Sequence, residues 1–145
     1  MVFWITGRAG AGKTTLALKM AREFKDNNRP VLILDGDDVR DQFKDRNFDR
    51  RSRWDHISKI SHFATIAEKQ GIIVIIALVS PEKFLRQHAR LYFQHSQLIY
   101  ITGGTMWAGT KYEEPDEEEA ATVRKGYSDR PTEIGNDNSS KDNSA

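Results

Sequence analysis

Gly7-Arg8-Ala9-Gly10-Ala11-Gly12-Lys13-Thr14 is the stretch that decides the fold of this chain. Its glycines and alanines let successive backbone N–H groups turn inward around an anion. The lysine and threonine that close it supply a cation for β- and γ-phosphates and a hydroxyl for Mg²⁺. This is the spacing G-x-x-x-x-G-K-[ST] of a triphosphate-binding loop, and the flanks agree with it. Val2-Phe3-Trp4-Ile5-Thr6 reads as a short buried strand. Thr15 to Phe24 reads as a helix with Leu16, Met20 and Phe24 on one face. A helix placed there points its positive end at the bound anion. Gly7, Arg8, Ala9, Gly10, Ala11, Gly12, Lys13, Thr14 and Thr15 are therefore the expected ATP-binding set, with Thr14 on the metal.

Working outward, Asp26 to Pro30 is a turn, and Val31-Leu32-Ile33-Leu34 is a continuous apolar run suited to a central parallel strand. A helix between two such strands makes a right-handed βαβ unit. Asp35-Gly36-Asp37-Asp38-Val39-Arg40 follows at the carboxyl end of that strand, where open α/β sheets bind ligands. Asp35 and Asp37 are thus expected near the mouth of the loop. There a carboxylate can take a proton from a hydroxyl or hold the water shell of Mg²⁺. Asp38 reads as a helix N-cap. Phe43 to Arg53 is charged without a clean period and reads as a loop or loose helix over the mouth.

Trp54, Ile57, Ile60, Ala64 and Ala67 mark a long amphipathic helix ending near Gln70-Gly71. His56 and His62 lie on it without metal-site spacing, and an ordinary surface or core position is the simpler reading of each. Ile72 to Val79 is the most strongly apolar strand and is expected to be central. Ser80-Pro81 closes it. The next helix is expected to turn Phe84, Leu85, Ala89 and Tyr92 or Phe93 inward, leaving Lys83, Arg86 and Arg90 as candidate anion contacts. Leu98 to Ile101 is the last clear strand. Beyond it come a glycine-containing loop carrying Trp107 and an acidic block, Glu113 to Glu119, expected to start a short helix through Val123. Trp107 reads equally as an aromatic over the site or as a plug in the core.

These elements predict an α/β protein: a three-layer P-loop NTPase fold with a parallel sheet of about four to five strands. The domain is expected over residues 1–123, with a polar, disordered tail over 124–145. A chain of 145 residues suits one domain, and the formal net charge of +1 names no partner. The part before Lys111 is basic, which suits a phosphorylated ligand as well as an ordinary charged surface. The chain has no cysteine, which excludes disulfides, thiolate metal sites and cysteine nucleophiles. The apolar N-terminal run is too short for a leader, and no apolar run is long enough to span a bilayer. A cytoplasmic protein without a membrane partner is the expectation; nucleic acid and a homodimer stay open.

The combination of motifs resembles the adenylylsulfate kinase family, over about Val2 to Leu91. The family's opening strand and loop are matched by Phe3-Trp4-Ile5-Thr6-Gly7 and Thr15-Leu16-Ala17, and its L-D-G-D-x-x-R by Leu34-Asp35-Gly36-Asp37 and Arg40. Asn47-Phe48 and Arg53 also match, as do Val79-Ser80-Pro81 and Arg86. His56 stands where the family has Asn, and Glu82-Lys83 replace an aromatic and an Arg. The resemblance implies ATP and Mg²⁺ as cofactors. The acceptor it implies is adenosine 5′-phosphosulfate, phosphorylated on its 3′-hydroxyl. It makes Lys13, Asp35 and Asp37 the candidate catalytic residues. Asp37, Arg40, Phe48, Arg53, His56, Ser80 and Lys83 form the candidate acceptor side, with Arg40 and Arg53 on the phosphosulfate and Phe48 on the adenine.

The resemblance implies that the family's lid is deleted here or reduced to Gly103–Thr110, and Tyr112-Glu113-Glu114-Pro115 resembles its later P-Y-E-x-P. Two alternatives therefore stand beside the first: a kinase for another hydroxyl (a nucleoside, a modified sugar or a polynucleotide end), and a nucleotide-binding module without turnover.

Overall fold

The computed structural model describes residues 1–123. The expected tail over 124–145 lies outside them. Four strands follow from the apolar runs: β1 (Val2–Thr6), β2 (Val31–Asp35), β3 (Ile73–Ala77) and β4 (Ser96–Ile101). A fifth, β5 (Ala121–Val123), lies where the acidic block was expected to lead into a helix. All neighbours pair in parallel, in the order β2-β3-β1-β4-β5. Parallel pairing requires crossovers, and helices supply those among β1 to β4, namely α1 (Lys13–Asp26), α2 (Gly36–Gln42), α3 (Arg50–Lys69) and α4 (Lys83–Arg90), while a non-helical stretch joins β4 to β5.

The sheet divides two apolar cores. On one side Phe3, Ile5, Ile75 and Ile99 pack with Leu16, Ala17 and Met20 of α1. On the other Trp4, Val74, Ile76 and Leu98 pack with Ile57, Ile60 and Ala64 of α3 and Leu85 and Ala89 of α4. Alternate residues of β1 thus serve opposite cores, as strand geometry dictates. Each fully buried Ile, Leu or Trp contributes about 1.5–3 kcal/mol of transfer free energy.

Several expectations are corrected. β2 is an edge strand, not a central one, and Leu32 is partly exposed. Its apolar run reflects helices packing on both faces, which an outer strand of a three-layer sheet also receives. Phe84 of α4 points outward and stacks on Trp54, with ring centroids 6.1 Å apart, whereas of Tyr92 and Phe93 it is Phe93 that turns inward as one of the two was expected to. The stretch before α3 is a loop only as far as Asp49, whose carboxylate accepts the Ser52 N–H and starts the helix. The cap of α2 is Asp35 rather than Asp38, with its side chain accepting from the Asp37 N–H at 2.9 Å.

Candidate active site

One cavity of about 460 Å³ opens at the carboxyl ends of β1, β2 and β3. On its donor side lie Gly10, Gly12, Lys13, Thr14 and Thr15. Gly10 and Gly12 have φ of 77° and 104°, conformations that favour glycine. Gly12 is the N-cap of α1 and offers no side chain to cap it. The first N–H groups of a 14-residue helix are therefore left for an anion. Lys13 Nζ donates to the carbonyl of Arg8 at 2.9 Å, which holds its ammonium over the loop. Burial lowers the Lys13 pKa, against the pull of Asp37 and Asp35.

Asp35 links the donor loop to the second strand. Its Oδ2 accepts the Thr14 hydroxyl at 2.7 Å while its Oδ1 caps α2. Both oxygens are thus in use, whereas Asp37 is exposed in the same cavity. This donor set fits a Mg²⁺ that takes most of its ligands from phosphate and water: one hydroxyl oxygen, oriented by one carboxylate. No group of three or more histidine or acidic side chains is disposed to hold a metal among the described residues.

The opposite wall, where the candidate acceptor residues fall, is built by α2, α3 and the turn after β3. Arg40, Phe48, Arg53, His56 and Ser80 line it. The Arg40 guanidinium lies 4.3 Å from the Phe48 ring centroid and pairs with Asp45 at 3.2 Å. Arg53 donates from Nε to Glu82 at 3.1 Å and from Nη1 to the Phe48 carbonyl at 2.6 Å. Ser80 has a φ of 44° and is buried; its hydroxyl accepts from the Trp4 indole at 2.9 Å and donates to the Leu78 carbonyl. A non-glycine residue held at positive φ is a strained position that its surroundings must enforce.

His56 is buried, and its Nε2 has no hydrogen-bond partner. Burial, then the Arg40 charge, pushes its pKa down to about 4. The ring beside the acceptor space is consequently neutral at neutral pH.

Trp107 is not a core plug. It is 44% exposed, lines the cavity and faces Phe48 with ring centroids 5.6 Å apart. The loop after β4 reaches this position by a bridge to the phosphate loop. The Thr105 N–H donates to the Ala9 carbonyl at 2.9 Å, and the two residues form an antiparallel pair. A Cβ on Gly104 would come within 2.5 Å of that same carbonyl, so the approach requires glycine.

The structure does not bring every expected residue into the cavity. Lys83 points its ammonium at Asp116, 3.7 Å away, and lies with Gln87 and Arg90 in a separate cleft. Arg86 and Arg90, candidate anion contacts by sequence, are structural. Arg86 is fully buried against Glu119, and Arg90 donates to Ser96 and to the Glu119 carbonyl. The Arg8 side chain pairs with Glu114 and donates to the Tyr100 hydroxyl. Gly7 shapes the loop from behind: a Cβ there would meet the Ile101 carbonyl at 2.8 Å.

Sequence reasoning missed the roles of Glu82 and Asp45, the carboxylates that pair with Arg53 and Arg40. Their only signal is acidic residues between or beyond the arginines. It also missed Tyr112, whose hydroxyl lies 2.7 Å from that of Thr6 and whose pKa burial raises to about 12.

Comparison with known proteins agrees with this geometry. The family model for adenylylsulphate kinase matches residues 1–119. A probable adenylyl-sulfate kinase of Pyrococcus abyssi is 35% identical over 99 residues, covering 68% of this chain and 57% of the relative. One of Archaeoglobus fulgidus is 39% identical over 100 residues, covering 68% and 64%. The chain thus matches less than two thirds of the length of these relatives. The Mycobacterium tuberculosis APS kinase, solved in complex with AMPPNP and APS, shares the fold. Its TM-score is 0.75 at 20% identity, over 85% of this chain and 87% of that one. With the phosphate loop, the Asp35-Gly36-Asp37 turn and the Ser80-Pro81 turn converging on one cavity, the chain belongs to the adenylylsulfate kinase family.

Proposed function

We propose that this chain transfers the γ-phosphoryl group of ATP to the 3′-hydroxyl of adenosine 5′-phosphosulfate. The observation that carries the reading is a single cavity with a phosphate loop on one wall and two arginines, an aromatic pair and a free carboxylate on the other. The α1 N–H groups and Lys13 hold the phosphates. Thr14, oriented by Asp35, would hold Mg²⁺, which would supply positive charge to the phosphates. Asp37 is the exposed carboxylate at the mouth and is assigned to the acceptor hydroxyl, orienting it and taking its proton. The adenine of the acceptor is assigned to the aromatic pair Phe48 and Trp107, whose rings touch at a centroid separation of 5.6 Å and a tilt of 51° and must part by one ring thickness to take it. His56, being neutral, offers the acceptor one unpaired ring nitrogen. Rate enhancement in such a site comes mostly from positioning and fixed charge.

A second reading, a less anionic nucleotide-like acceptor, has one observation in its favour: Arg40 and Arg53 are both already paired with carboxylates. ADP release measured with and without adenosine 5′-phosphosulfate tests the first reading. Stimulation is expected, and Asp37→Asn should lower kcat by about 10²-fold or more with a smaller change in KM for ATP. Stimulation by adenosine or another hydroxyl but not by the phosphosulfate would move the function to the second reading. ATP binding without turnover on any acceptor would leave a nucleotide-binding module.

A further inference from the structure

We propose that Glu82 is a specificity-determining residue, a built-in carboxylate that an anionic acceptor must displace from Arg53. The inference rests on the reading that Arg53 faces the acceptor. Glu82 sits at the N-cap of α4 with an extended backbone, φ −102° and ψ 120°. A carboxylate there ordinarily accepts from the helix's own N–H groups. This one does not. The N–H of Lys83 is taken instead by Glu113 Oε1 at 2.9 Å. Relieved of capping, the Glu82 carboxylate reaches across to α3. Its Oε1 lies 3.1 Å from Arg53 Nε and its Oε2 lies 3.9 Å from Arg50 Nε.

Two features make this pair exchangeable rather than structural. First, the side chains are 21% and 22% exposed, so neither charge is sealed from water. Second, Glu82 has no backbone partner to hold its carboxylate in place among the described residues. The other pair at the site differs: Asp45, which faces Arg40, is pinned by the Asn47 N–H at 2.9 Å. The Arg40 side chain is also more buried than that of Arg53. An incoming phosphate or sulfate oxygen therefore finds Arg53 as the cation it can win, in competition with Glu82. The competition weakens anionic acceptors and leaves neutral ones untouched. It also returns Arg53 to a partner when an anionic product leaves.

The test compares the unmodified 145-residue chain with Glu82→Gln and Glu82→Ala. Calorimetric titration with adenosine 5′-monophosphate and with adenosine reads the clamp directly, whether or not turnover occurs. Turnover of adenosine 5′-phosphosulfate by the unmodified chain reads the proposed function separately. Glu82→Gln should tighten the monophosphate about fivefold, the scale of a partly exposed ion pair, and leave adenosine unchanged. That gain should shrink as salt rises. With the phosphosulfate, the change should fall on acceptor KM rather than on kcat. Equal shifts for both ligands, no shift for the monophosphate in either variant, or failure of the monophosphate to bind any form would overturn the proposal. Glu82→Ala guards against a glutamine that keeps the Arg53 hydrogen bond, and it should tighten the monophosphate at least as much.

Discussion

A histidine that is 3% exposed, with one ring nitrogen unpartnered, accepts a proton only at a cost in desolvation. That cost makes His56 a determinant of acid stability. In the unfolded chain its pKa is about 6.5, and folding lowers it to about 4. Above pH 6.5 both states are neutral and the stability is complete. As pH falls from 6.5 toward 4, only the unfolded chain takes up the proton, so stability is lost. This residue should account for about 2 kcal/mol of the loss between pH 7 and pH 5. Urea titrations of the parent and His56→Asn at both values check it: the variant should lose less, by that amount. The departure at position 56 was visible in the sequence, because a histidine stands where asparagine was expected. Its burial was not, because a lone histidine on a helix is compatible with a surface or a core position. Only the close packing against Gly36, where a Cβ would lie 3.4 Å from Nε2, decides the matter.

At the scale of elements, α4 holds the chain that follows β4 against the body. Arg86 is fully buried and donates to the Ser80 carbonyl at 2.8 Å, the Glu113 carbonyl at 2.7 Å and the Glu119 carboxylate at 2.9 Å. One guanidinium thus joins the strained turn of the acceptor side to the acidic stretch and to the approach to β5. Glu119→Ala would leave that charge buried and unpaired, and should cost about 3–5 kcal/mol in chemical denaturation. The strands carrying continuous apolar runs were legible, since a helix covers each of their faces. β5 was not, because three residues flanked by acidic side chains show no period of their own. It exists through pairing with β4, where Ile99, Tyr100 and Ile101 face Ala121, Thr122 and Val123. The order of strands was equally hidden: β2 and β3 read alike, yet one is an edge and the other is interior.

For the whole molecule, the donor half of the cavity is prearranged and the acceptor half is internally neutralised. A ligand that binds only the folded state stabilises it by mass action. ATP with Mg²⁺ at about a hundred times its Kd should add about 2.7 kcal/mol and raise Tm by roughly 5–10 °C. Thermal melts of the parent and of Lys13→Ala, with and without nucleotide, check this; the variant should lose the increment. The phosphate loop was legible to the residue, because its chemistry is local and its spacing fixed. Of the candidate acceptor set, Asp37, Arg40, Phe48, Arg53, His56 and Ser80 line the cavity and Lys83 does not, and the pairing of the arginines was hidden because ion pairs such as Arg53–Glu82 join residues far apart in sequence. The bridge between Ala9 and Thr105 joins the two halves physically. The donor's loop and the strap bearing Trp107 share a hydrogen bond, so a displacement of either is felt by the other. Through that shared bond the two walls of the cavity are coupled. By thermodynamic reciprocity, whatever factor nucleotide adds to acceptor affinity, the acceptor returns to the nucleotide.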